Sequence, residues 1–123
     1  MTPTVFRKLA LSMPGAVEGA HGGHADFRAG TGGKVFASLG YPDDAWAVVK
    51  LAPEQQEMLV ASAPDVFVPV KGTWGLRGNT QLRLATADTT TAKSALTMAW
   101  QGVTAKKEVP TPRKRGEGGA RRA

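Results

Sequence analysis

Val5, Phe6, Leu9, Ala10 and Met13 recur at intervals of three and four residues, the spacing of one helical face. Thr2 stands where an N-cap side chain is wanted, and Pro3 fills the first helical position, where its missing N–H costs nothing. Pro14-Gly15 closes this first helix. A glycine-rich passage through His24 follows, and the pattern then changes to short extended runs. Ala25 to Ala29 reads as a strand, Gly30-Thr31-Gly32-Gly33 as a turn, and Lys34 to Leu39 as the hairpin partner. A second turn at Tyr41-Pro42-Asp43-Asp44 leads into Trp46 to Leu51, so three strands form an antiparallel meander.

Pro53 opens a second helix through Ser62, with Met58 and Leu59 expected to face inward and Pro64 to stop it. Val66 to Val70 is extended, and Pro69 restricts it to a sheet edge or a strand end. Lys71 to Asn79 holds three glycines and reads as a loop anchored by the Trp74 indole; Gln81 to Leu84 gives one more strand. Asp88 can cap the last helix, where Ala92, Ala95, Leu96, Ala99, Trp100 and Val103 form one apolar stripe. The fold class expected from this order is α+β, an antiparallel sheet flanked by N- and C-terminal helices.

Charge divides the chain in two. Residues 106–123 carry seven Lys/Arg and two acidic residues, net +5 of the overall +6, whereas the preceding residues are close to neutral. From Val109 onward, prolines, glycines and basic residues offer almost nothing to bury, so the expected organisation is a domain over 1–108 and a disordered basic tail over 109–123. A folded part of this size can bury roughly two-thirds of its unfolded surface. The absence of cysteine excludes disulfides and thiolate chemistry and fits a reducing compartment, so the cytoplasm is the expected location. No segment approaches the roughly 20 apolar residues of a membrane helix, and no membrane partner is expected.

Motifs with chemical content are few. Gly30-Thr31-Gly32-Gly33-Lys34 resembles a phosphate cradle only superficially: Val35 stands where magnesium would want Ser or Thr, and a strand follows in place of a helix. His21 and His24 flank Gly22-Gly23, with Glu18 and Asp26 nearby, but no third imidazole or thiolate is available to close a zinc site. No serine sits in a nucleophile elbow, and Glu54 and Glu57 suit the start of a helix without forming an acid/base pair. The chain is therefore read as lacking catalytic residues, a metal site and a cofactor.

Alternation along the strands puts Arg28, Lys34 and Lys50 on a face with Phe36 and Trp46, a mixture of cations and rings that nucleic-acid platforms use. The same rings could instead pack beneath a helix or loop, with the cations simply solvated. The tail, with Arg113, Lys114, Arg115, Arg121 and Arg122, is the strongest polyanion signal, since flexible basic arms bind phosphates by releasing counterions.

In order along the chain stand Leu9-Ala10-Leu11-Ser12-Met13-Pro14-Gly15-Ala16-Val17-Glu18, Gly33-Lys34-Val35-Phe36-Ala37, Val48-Val49-Lys50-Leu51 with Pro53-Glu54, Pro69-Val70, Trp74-Gly75, and Ala99-Trp100 leading to Ala105-Lys106-Lys107. This ordered set resembles the MmcQ/YjbR-like family. The resemblance implies an α/β domain similar in outline to the frataxin-like CyaY fold, from a family whose members are commonly labelled DNA-binding. It brings no catalytic residues. His21, Lys34, Lys50 and Trp74 match positions that recur in the family, whereas Gly22-Gly23-His24 and the long basic tail depart from it.

The function expected from the sequence is thus weak, largely electrostatic DNA binding without catalysis. Lys34, Lys50, Lys71, Arg77 and Arg83 are the candidate contacts on the domain, joined by the five tail cations. The competing expectation is a protein- or small-ligand-binding module, with His21 and Trp74 forming a pocket and the tail conferring solubility.

Overall fold

The structure, a computed structural model, describes residues 1–104. The expected tail, with Arg113, Lys114, Arg115, Arg121 and Arg122, lies outside the described residues. Helix α1 (Pro3–Leu11) starts as its sequence dictates, with Thr2 Oγ1 accepting from the Val5 N–H at 3.2 Å. It buries Phe6 and Ala10 and stops before the expected Pro14-Gly15, at Ser12, whose hydroxyl donates to the Leu9 carbonyl at 2.6 Å.

Six strands make one antiparallel sheet, in the order β1-β2-β3-β4-β6-β5. They are β1 (Val17–His21), β2 (His24–Arg28), β3 (Val35–Leu39), β4 (Trp46–Lys50), β5 (Phe67–Pro69) and β6 (Asn79–Arg83). Strand β1 corrects the sequence reading, which leaves this stretch as an irregular glycine-rich passage. Gly22 and Gly23, with φ of 55° and 81°, both lie in the left-handed region that a two-residue hairpin turn requires. They fold β1 back on β2 with His21 opposite His24. Pro69 falls on the edge strand β5, where no neighbour needs its missing N–H.

Register sorts the side chains. Phe27, Ala37 and Val49 line up across β2, β3 and β4, and Leu39, Ala47, Leu82 and Phe67 across β3, β4, β6 and β5; all seven are buried. Against β3 and β4 packs helix α4 (Thr89–Thr104), and α1 packs on α4 and β3. The Asp88 carboxylate caps α4 by accepting from the Thr91 N–H at 2.7 Å, which holds its pKa below the ordinary carboxylate value. Ala92, Ala95, Leu96, Ala99 and Val103 are buried as the stripe predicts. Trp100 is half-buried, its Nε1–H donating to the Pro14 carbonyl at 3.0 Å, so that α4 holds the exit from α1.

The opposite row contains Asp26, Ser38, Val48 and Gln81, paired across β2, β3, β4 and β6. Strict alternation fails at one point. The register shifts between Phe27, which pairs with Ala37, and Arg28, which pairs with Val35, so Phe36 is the extra residue of a bulge. Phe36 is fully buried in the hydrophobic core, which removes it from the exposed cation-and-ring face expected from the sequence.

Two further helices bracket the second half of the sheet. Helix α2 (Pro53–Ser62) packs on β5 and has no fully buried residue; Met58, expected inside, is 51% exposed. The four-residue helix α3 (Thr73–Leu76) replaces the expected loop between β5 and β6. Its Trp74 is 65% exposed, so the indole does not anchor the segment. The anchor is polar instead: Gln56 Nε2 of α2 donates to the Gly75 and Asn79 carbonyls at 3.0 Å, with Thr80 Oγ1 at 3.1 Å, and Asn79 Nδ2 donates to the Trp74 carbonyl at 3.0 Å. No described helix is long and apolar enough to cross a membrane.

Candidate functional site

An open cleft of about 700 Å³ is bordered by β2, β3, β4, the β3–β4 turn and α3. Lys34 and Lys50 both line it, as do His21 and Trp74. Four residues expected to matter, scattered between positions 21 and 74, therefore share one concavity. Val35, Val48 and Val70 add an apolar lining, and Tyr41 contributes a ring that is 44% exposed. Tyr41 is not among the residues that sequence reasoning singles out; the available signal is an aromatic residue in an otherwise polar turn.

The remaining candidates go elsewhere. Lys71 and Arg77 are exposed on either side of α3 but do not line the cleft. Arg83 is half-buried outside it, its guanidinium carbon 4.3 Å from the centroid of the Trp46 ring that faces it across β4 and β6. Cation–π stacking occupies this side chain locally.

Asp26 is the acidic residue among those lining the cleft, and it is fully buried. Arg28 meets it with two parallel bonds, Nε to Oδ1 at 2.9 Å and Nη2 to Oδ2 at 3.1 Å. His21 Nδ1 lies 2.6 Å from Oδ2. The Arg28 hydrogen bond, supported by that from His21, outweighs desolvation and holds the Asp26 carboxyl below its ordinary pKa. The same bond raises the Arg28 pKa. An ionised carboxylate only accepts, so the hydrogen bond runs from the His21 Nδ1–H to Asp26 Oδ2. The acid is paired with Arg28, and among the described lining residues the formal charges of Arg28, Lys34 and Lys50 outnumber that of Asp26.

The room for this arrangement comes from Gly19, which faces Asp26 across β1 and β2. A β-carbon there would stand 2.9 Å from Asp26 Oδ1 and 3.0 Å from Arg28 Nε. His21 and His24 place their rings 6.5 Å apart, centroid to centroid. Among the described residues, no group of three or more His, Cys, Asp or Glu side chains is placed to hold a metal ion.

An antiparallel sheet covered on one side by terminal helices, with a cationic and partly aromatic cleft beside β3 and β4, defines a small α+β domain. The YjbR family model matches residues 11–102, and the chain belongs to that family. No curated protein matches the chain. The crystal structure of Deinococcus radiodurans protein DR2400, described as a DUF419 family-model domain, has the same fold, with a TM-score of 0.71 at 21% identity over 96% of this chain and 94% of that one.

Proposed function

We propose that this YjbR-family domain is a binding module rather than a catalyst, and that it binds DNA weakly through phosphate contacts. The observation that carries the reading is the pairing of Lys34 and Lys50 in one cleft whose acidic lining residue, Asp26, is already neutralised by Arg28. Two cations, Lys34 in the loop just before β3 and Lys50 at the end of β4, suit successive phosphates of a polyanion, and counterion release supplies the affinity. Lys71, Arg77 and the tail cations Arg113, Lys114, Arg115, Arg121 and Arg122 add to the positive charge of the chain.

A second reading, a small-ligand module, is favoured by the apolar lining of Val35, Val48 and Val70. Salt separates the two. Fluorescence anisotropy of labelled DNA with the full chain should show affinity falling with salt, with a log–log slope of magnitude roughly 3–5. Replacing Lys34 and Lys50 by Gln should lower that slope by about 2, and replacing the five tail cations should lower it separately. Absence of binding at low salt would exclude the DNA reading; salt-independent capture of an apolar ligand would establish the alternative.

A further inference from the structure

We infer that the cleft takes unpaired nucleotides, so that the domain prefers single-stranded DNA to duplex; the inference rests on the DNA reading above and specifies its substrate. Three observations carry it. The concavity, about 700 Å³, has the size of sites that enclose small molecules, roughly 300–1,000 Å³, and so suits one or two nucleotides. A duplex keeps its base faces stacked inside and would offer such a hollow only its outer phosphates. The same cleft holds cations and rings: Lys34 and Lys50 share its lining with Trp74 and Tyr41, so a phosphate and the base attached to it find partners of the right kind in one concavity.

Trp74 is the sharpest of these features. It is 65% exposed, yet the backbone beneath it is held by Gln56 through the Gly75 carbonyl and by Asn79 through its own carbonyl. An indole left in water on a fixed four-residue helix contributes little to the core and is a ready stacking platform. Charge complements the occupant, because Asp26, the carboxylate that shares the lining with the two lysines, is already satisfied by Arg28.

The test is anisotropy of the full chain with a labelled oligodeoxythymidine of about 12 nucleotides and with a duplex of equal length, at one low salt concentration. The single strand should bind at least about tenfold more tightly, and Trp74→Ala should cost roughly tenfold on the single strand while leaving the duplex unchanged. Trp74→Phe should recover most of the loss. Because the ring is exposed and the polar anchors of α3 use backbone atoms, Trp74→Ala should keep its thermal midpoint, and circular dichroism checks this. Equal affinity for both DNA forms, or an equal loss on both in Trp74→Ala, would overturn the preference while leaving DNA binding intact. No binding to either would overturn both, and tighter binding of oligouridine would reassign the occupant to RNA.

Discussion

Gly19 faces Asp26 across the first hairpin, and the space where its side chain would be is filled by the Asp26–Arg28 ion pair. The missing β-carbon is what allows a fully buried carboxylate and its guanidinium partner to lie flat on the sheet. A β-carbon 2.9 Å from Oδ1 is closer than that atom tolerates and one 3.0 Å from Nε is tight, and Asp26, fully buried, has little room to yield. Gly19→Ala should therefore lower the thermal midpoint by several degrees, about 1 kcal/mol or more. Differential scanning calorimetry checks it, with an unchanged midpoint showing that the pair relaxes freely.

The Asp26 carboxyl also sets a pH dependence. Its folded pKa is depressed below the ordinary value of 3.8, chiefly by the Arg28 hydrogen bond. The folded state thus binds the proton less readily than the unfolded chain. Stability from this group is fully present above the unfolded pKa and is lost as pH falls through the folded one, so it fades below about pH 4. Asp26→Asn should flatten the acid limb of a stability–pH curve while destabilising the domain at neutral pH by about 1–3 kcal/mol, since Arg28 and His21 lose their charged acceptor. Urea melts between acid and neutral pH would show the two curves converging at the acid end.

Gln56 makes a different kind of link. A single amide nitrogen on α2 reaches the Gly75 and Asn79 carbonyls and the Thr80 hydroxyl, tying α3 and the start of β6 to the helix. Gln56→Ala leaves those acceptors short of a donor and should cost about 1–3 kcal/mol. Gln56→Glu should be worse at neutral pH, because its second oxygen would face three oxygen atoms. Its deficit relative to Gln56→Ala should shrink as the carboxyl is protonated on acidification. Hydrogen exchange at the Arg77 and Gly78 amides, which bond within the α3 turn, would report whether the loss is local to this segment.

Much of this architecture is legible from side-chain periodicity. The caps at Thr2 and Asp88, the α4 stripe and the edge position of Pro69 follow from residues acting within their own segment, where hydrophobic spacing and backbone chemistry suffice. Strand β1 is not legible that way: as an edge strand with Glu18, Ala20 and His21 exposed it has no apolar alternation, and only Gly22-Gly23 marks the hairpin. Phe36 escapes strand alternation because no period-two pattern foresees a bulge. Lys34 and Lys50 are placed on one sheet face by the sequence pattern, but their sharing a cleft with Trp74 depends on α3, which Gln56 holds from 19 positions before Gly75, a contact that no local pattern encodes.

Two glycines bear opposite predictions for the same substitution. Gly78 has φ of +106° and sits over the Leu51 carbonyl, with which an added β-carbon would collide; Leu51 in turn donates its N–H to the Gly78 carbonyl at 3.2 Å. Both the backbone conformation and the close approach exclude a side chain, so Gly78→Ala should destabilise by more than about 2 kcal/mol and loosen the α3–β6 junction that carries Trp74. Gly102 lies in the last turn of α4, exposed, with nothing within 4 Å of the point where a methyl group would stand and a helical backbone that alanine shares. Gly102→Ala should stabilise by about 0.5–1 kcal/mol, because alanine has less backbone freedom to lose. Chemical denaturation of the pair separates crowding from propensity: a loss in Gly102→Ala would mean that the end of α4 packs against something more than the residues described, and a neutral Gly78→Ala would mean that the backbone at Leu51 can retreat.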